Sequence, residues 1–322
     1  MENVVMKEEV VIVGGGIAGL ATALALKRVG VKSLVLERSN ELRVTGAALT
    51  LFSNAWIALE SLGVAHKLTS AYKPYEGGQV TDVASGVTKE NTLTKNYKGE
   101  EWQATGLRAI HRRALLEALL EELPTDAVRF SSKLRSVEKA KTRQDNDSFG
   151  VIVHLEDGAS IHTKVLIGCD GVHSVVSKWL GLKDVVHSGR CAVRGLGIFP
   201  EGHGLQHQIQ QFVDTGRSFK FFNLIEVLGR HIGNSYIRNG RTISQEDIEV
   251  EIEMYVKERR WRTAGLITAS YLSGWVQQSG SSSIGVGWLM KFLRDTVFYK
   301  IVSPRVSGLL KYDCGKLPTA SS

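Results

Sequence analysis

The feature that most limits what this chain can fold into is the run Val11-Ile12-Val13-Gly14-Gly15-Gly16-Ile17-Ala18-Gly19-Leu20. A short β-branched stretch ends in glycines, and residues 17–29 then carry Ala and Leu at helical spacing, so the pattern reads as strand, tight turn and helix. Each glycine of GxGxxG has a separate physical task. Gly14 permits the turn, Gly16 lets the backbone approach a diphosphate, and Gly19 lets the helix pack closely on the strand. The first helical turn, Ile17 and Ala18, together with Gly15 and Gly16, then offers free N–H groups and the positive end of the helix dipole to an anion.

Residues 33–37 form a second apolar run of strand type and close a βαβ unit of the usual size. Glu37 ends that run 18 positions after Gly19, near the spacing at which a carboxylate meets ribose hydroxyls. Arg38 follows it directly. A carboxylate at this point repels a 2′-phosphate, so the pattern disfavours NADP as the ligand of this turn, and the fingerprint alone leaves NAD and FAD open.

Downstream, helical patterns cover residues 55–62 and 112–123, the second stopped by Pro124. Between them residues 72–103, with glycines, threonines and weak alternation, predict a strand excursion away from the nucleotide-binding core. Alternation returns at 134–137, 151–155 and 160–167, with a hairpin turn at Asp157-Gly158. The last of these runs feeds Cys169-Asp170-Gly171 and a helix through Leu180. Residues 187–222 are strand-like, and 244–273 read as a long helix with Ser244 as its N-cap. A Gly/Ser linker spans 279–287.

The formal net charge of +7 is scattered over the chain, without a basic stripe of interleaved aromatics, which argues against nucleic-acid binding. Three distant cysteines, Cys169, Cys191 and Cys314, form neither a disulfide framework nor a CxxC pair and imply a reducing compartment. The charged N-terminus runs straight into the first strand with no signal or transit pattern, and the apolar run at 264–276 is too short to span a bilayer, so a cytoplasmic protein is expected. His203 and His207 stand four apart without a third ligand type nearby, and no metal site is expected. Trp288, Leu289, Phe292, Leu293 and Val297 make an apolar helix face beside Lys291, Arg294 and Lys300. Such a face packs on its own domain, makes peripheral contact with a membrane surface or meets a partner helix.

Taken together, residues 11–20, Glu37-Arg38, Gly106-Leu107-Arg108-Ala109-Ile110-His111-Arg112 and the run from Val165 through Cys169-Asp170-Gly171 to Ser174 resemble the FAD-dependent monooxygenases of the aromatic-hydroxylase type. The likeness is to the plant branch that also resembles zeaxanthin epoxidase, and it covers most of residues 8–222. It implies FAD as cofactor, with Gly14, Gly16 and Gly19 at the pyrophosphate and Glu37 at the adenosine ribose. It implies further that Arg112 reaches the flavin's phosphate or ribitol region, and that Asp170 and Gly171 contact the flavin and a nicotinamide cofactor. Read without the resemblance, Arg112 is a helix-start charge and Asp170-Gly171 a strand-to-helix turn. The implied reaction takes electrons from NAD(P)H and oxygen from O2 to hydroxylate or epoxidise a small hydrophobic substrate.

Members of that family carry a Gly-Asp motif after the substrate sheet, and this chain has no Gly-Asp dipeptide. The likeness fades after Phe222 and resumes at residues 255–261, which reads as a missing internal segment. The expected fold is α/β: a Rossmann-like FAD-binding domain (1–71 and 105–183), an interleaved and incomplete antiparallel substrate sheet (72–104 and 184–243) and a C-terminal helical region (244–322). Three functions follow as expectations: a monooxygenase, a non-catalytic FAD-binding or interaction isoform, and an NAD-dependent dehydrogenase.

Overall fold

The computed structural model describes residues 5–43, 48–82, 85–92, 99–140, 150–187 and 209–213, and seven positions between 253 and 264. In chain order its elements are β1 (Val5–Val13), α1 (Ile17–Arg28), β2 (Leu34–Leu36), β3 (Ala48–Leu51), α2 (Ser53–Ser61), α3 (Ala65–Thr69), β4 (Gly77–Asp82), β5 (Thr88–Thr92) and α4 (Gly99–Thr105). There follow β6 (Arg108–His111), α5 (Arg112–Leu120), β7 (Val128–Arg129), β8 (Leu134–Lys139), β9 (Val151–Leu155), β10 (Ser160–Gly168), α6 (Val175–Trp179) and β11 (Ile209–Val213).

The main sheet has the order β7-β2-β1-β10-β9-β8. Its first four strands run parallel, and the β8-β9-β10 end is an antiparallel meander. β1 lies in the interior because both of its faces are apolar. Val10 and Ile12 enter one core with α1, while Val11 and Val13 enter the other with Leu36, Val153, Leu155 and Ile161. The two cores are therefore the two sides of one sheet. The alternation that makes β1 a strand also decides which residue serves which side.

α1 is built from good helix formers, and all of residues 19–26 are buried because it lies between the sheet and α5. It stops at a Schellman turn: Gly30 N–H donates to the Lys27 carbonyl and Val31 N–H to the Leu26 carbonyl, with Gly30 at φ +82°. Leu24, 1% exposed, sits in the middle of this contact. Leu24→Ala is expected to lower the unfolding free energy by about 2–5 kcal/mol, measured by urea denaturation.

A second sheet has the order β11-β4-β5, and β3 pairs with β6 as a separate ribbon. In that second sheet β4 and β5 are antiparallel, but β11 runs parallel to β4, so the sheet expected to be antiparallel is mixed. The expected βαβ unit, the hairpin at Asp157-Gly158 and the α/β class are what the structure shows. At the hairpin Gly158 has φ +89°, and Asp157 Oδ1 accepts from the Ala159 N–H at 2.9 Å. The excursion between Tyr72 and Gln103 contains the two strands β4 and β5, and it also contains α4, which the sequence pattern does not suggest. That helix is seven residues long and opens on a glycine, so it offers too few apolar repeats to register as periodic. α2 starts at Ser53, two residues earlier than expected, and α5 ends at Leu120 with turns carrying the chain on to Pro124.

The described positions Glu253, Met254, Val256, Lys257, Arg260, Trp261 and Ala264 are helical, in keeping with the reading of 244–273. The Ser244 cap, the stretch 223–243, the linker 279–287, the apolar face at 288–297, the histidines 203 and 207, Cys191 and Cys314 lie outside the described residues. Among the described residues no helix is long and apolar enough to cross a membrane, and no group of His, Cys, Asp or Glu side chains is arranged to hold a metal ion.

Candidate cofactor site

The glycine turn stands at the C-terminal end of β1, between the ends of β2 and β10. Gly14 N–H donates to the Leu36 carbonyl at 2.8 Å and Cys169 N–H to the Val13 carbonyl at 2.8 Å, so three strand ends meet there. Open α/β sheets bind their ligands at such a place. Gly14 has φ +108°, and a Cβ on it would collide with the Cys169 carbonyl and the Asp170 nitrogen. A Cβ on Gly19 would run into the Gly14 carbonyl, so both residues are glycines for reasons internal to the fold. Gly16 differs: a Cβ there would meet nothing within 4 Å. Its side of the turn is open space.

Gly16 is also the N-cap of α1, which has no side-chain cap and no acidic residue in its first turn. Ile17 is half-buried and Ala18 exposed. The first N–H groups of a helix have no intrahelical acceptor, and here no capping side chain takes them up, so the positive pole of the helix faces the open side of the turn.

Glu37 is 9% exposed and held from several directions. Its Oε2 accepts from the Gly15 N–H at 2.7 Å and its Oε1 from the Ser39 N–H at 2.9 Å. Its own backbone bonds to Arg129 and Ser132. Each carboxylate oxygen keeps a further lone pair, so the group is fixed in place and still able to accept from a diol. Gly15 is explained by the same contact, because a Cβ there would lie 2.9 Å from the Glu37 Cβ and Oε2. This coupling of Gly15 to Glu37 is not visible in the spacing of the motif.

Arg112 opens α5 and is half-buried rather than a free surface charge. Its Nη1 donates to the Arg43 carbonyl. Burial and the neighbouring Arg43 guanidinium push its pKa down, and the Glu37 carboxylate acts in the opposite sense. Two guanidinium groups and a carboxylate thus gather beside the turn, a grouping suited to a bound phosphate. Arg43 is a candidate the sequence reading missed. It lies six residues beyond Glu37 in a stretch with no periodic pattern, and no spacing rule marks it. Arg38 has an exposed side chain one residue beyond Glu37.

Asp170 follows β10 on the other side of Gly14. Its Oδ2 accepts from the Val175 and Val176 N–H groups at 2.7 and 3.3 Å, tying the turn to the start of α6. Its Oδ1 is buried with no hydrogen-bond partner among the described residues. The strand-to-helix turn is therefore real, and one acceptor is left over, which a buried carboxylate does not leave without cost. Gly171, exposed at φ +82°, completes that turn. The Cys169 thiol lies against Thr22, and burial pushes its pKa up to about 11, so it is not a nucleophile at neutral pH.

An open glycine turn under an uncapped helix, a fixed carboxylate with free lone pairs, paired arginines and an orphaned buried acceptor together fit the adenosine diphosphate end of FAD. A family model described as the FAD binding domain matches residues 7–253, and the chain belongs to that family. Among its relatives, Monooxygenase 2 of Arabidopsis thaliana is 44% identical over 208 residues, 65% of this chain and 48% of that protein. Monooxygenase 1 of the same plant is 40% identical over 200 residues, covering 62% and 47% of the two chains. The 3-hydroxybenzoate 6-hydroxylase of Klebsiella oxytoca is 34% identical over 183 residues, covering 53% and 42%. The chain spans about half the length of the curated relatives it matches. A variant of Klebsiella pneumoniae HpxO, solved in complex with FAD, superposes with a TM-score of 0.71 at 17% identity, over 96% of this chain and 100% of that one. It shares the fold.

Proposed function

We infer that the chain is the FAD-binding part of a monooxygenase that consumes NAD(P)H and oxygen to act on a small hydrophobic or aromatic substrate. The observation that carries the reading is the Glu37 carboxylate, pinned to the Gly15 N–H beside the open face of Gly16 and the uncapped start of α1. The names of the relatives support the reaction type. On this reading the N–H groups of residues 16–18 hold the diphosphate, while the Gly15 N–H is taken up by Glu37, whose carboxylate holds the ribose. Arg112 with Arg43 neutralises phosphate, and Asp170 accepts from the cofactor through Oδ1. Bound FAD would supply the redox chemistry, while the protein's part is binding, orientation and the exclusion of water.

The division into a flavin part (1–71 and 105–183) and a substrate part (72–104 and 184–243) is supported by the sheets. Every strand of the main sheet falls in the first set, and β4, β5 and β11 fall in the second. A flavin-binding chain without turnover is the second reading, and the lack of a Gly-Asp dipeptide favours it. The family match leaves the NAD-dependent dehydrogenase without support.

The absorbance spectrum of the purified chain tests these readings. Flavin bands that bleach on adding NADPH under argon and return in air support the monooxygenase. Bands that persist with NADPH point to the redox-silent binder. A colourless protein that takes up no added FAD ends both.

A further inference from the structure

Arg108 is 1% exposed, a buried cation that the cofactor site does not use. Its guanidinium donates from Nε to the Tyr72 carbonyl at 2.8 Å, from Nη1 to the Gly106 carbonyl at 2.8 Å and from Nη2 to the Gln103 carbonyl. Its other face lies 4.8 Å over the ring of Trp56 on α2. The three carbonyls come from two places far apart in sequence. Tyr72 is where the chain leaves for β4 and β5, while Gln103 and Gly106 are where it returns at the end of α4. Carbonyls at the end of a helix lack intrahelical partners and carry the negative pole of its dipole, so a planar cation with several fixed donors suits them. A backbone bond from the Tyr75 N–H to the Leu107 carbonyl at 2.9 Å runs between the same two segments.

We propose that Arg108 is a positioning residue: one guanidinium clasps both ends of the excursion that carries β4 and β5, and so fixes the β11-β4-β5 sheet relative to the flavin part. The importance of that placement for substrate rests on the function inferred above; the clasp itself does not. Without it, the excursion is a long loop tied at its base by fewer bonds, free to open without unfolding the main sheet. β11 is the informative strand. It pairs with β4 along Ile209–Val213, about a hundred residues from Arg108, and it loosens only if the sheet moves.

Hydrogen exchange by mass spectrometry on the full chain tests this, with Arg108→Met and Arg108→Lys each compared with the parent, with and without FAD. For Arg108→Met, exchange is expected to rise tenfold or more in residues 72–82, 99–107 and 209–213. Residues 5–36 and 160–168 should keep parental rates, and FAD affinity should stay within threefold. Arg108→Lys, which keeps the charge but not the planar fork, should fall between the two; if Arg108→Met does not fold, the same local pattern in Arg108→Lys decides. A uniform rise across the chain, or unchanged exchange at 209–213, overturns the clasp. A parent protein that takes up no FAD, with Arg108→Met still showing the local pattern against it, leaves the clasp standing and removes the flavin reading.

Discussion

Glu37→Gln is expected to raise the dissociation constant for FAD about a hundredfold. The exchange looks conservative and is not, because both carboxylate oxygens already accept a backbone N–H, from Gly15 and from Ser39. A carboxamide keeps one acceptor and turns the other end into a donor, so one of those N–H groups meets an N–H. On the proposed reading the ribose hydroxyls lose a charged acceptor at the same time, and hydrogen bonds to charged groups contribute about 1.5–3 kcal/mol each. The two losses act on the same turn. Titration of the apoprotein with FAD, followed by quenching of flavin fluorescence, reads the change. A constant within threefold of the parent would show that Glu37 serves the turn alone.

The second large effect is a contrast between two neighbouring glycines. Gly14→Ala places a methyl group against the Cys169 carbonyl at φ +108°, a backbone conformation that alanine resists, and about 3 kcal/mol or more of stability should be lost. Gly16→Ala meets nothing within 4 Å, and Gly16 has an ordinary extended backbone at φ −81° and ψ −173°. Its melting temperature should stay within roughly 2 °C of the parent, as for an exposed substitution. On the proposed reading the added methyl group stands where the diphosphate approaches, and FAD affinity should fall at least about tenfold. Thermal melts of both apoproteins, with FAD titrations alongside, separate the glycine that makes the fold from the one that makes room. Equal FAD affinity in Gly16→Ala and the parent would mean that the ligand lies elsewhere.

The elements legible in the sequence are those whose cause is local. β1, its turn and α1 follow from a β-branched run, the glycine spacing and an Ala/Leu repeat, and the β9–β10 hairpin follows from Asp157-Gly158 between two alternating runs. The place of Glu37 beside the turn is legible because a βαβ unit fixes the length between a glycine turn and the end of the next strand. What stayed hidden depends on distant contacts. Arg108 stands in the sequence only as one member of the 106–112 motif, and its role comes from three carbonyls of two remote segments. Arg43 acquires its place from Arg112, and Gly15 from the body of Glu37. α4 is too short to declare a period, and the carbonyls at its end are met by the side chain of Arg108. For Asp170 both the helix-capping turn and a spare acceptor are present, and no sequence rule separates them.

The pairing of β1 with β10 has a consequence for biogenesis. Val13 at the rim of the glycine turn is set opposite Gly168, so the floor of the nucleotide pocket joins parts of the chain made far apart in time on the ribosome. A nascent chain that has shown only its first hundred residues displays the phosphate loop with one flank missing. On the proposed reading, capture of FAD waits for β10, and a yellow colour would report that the central strands have met.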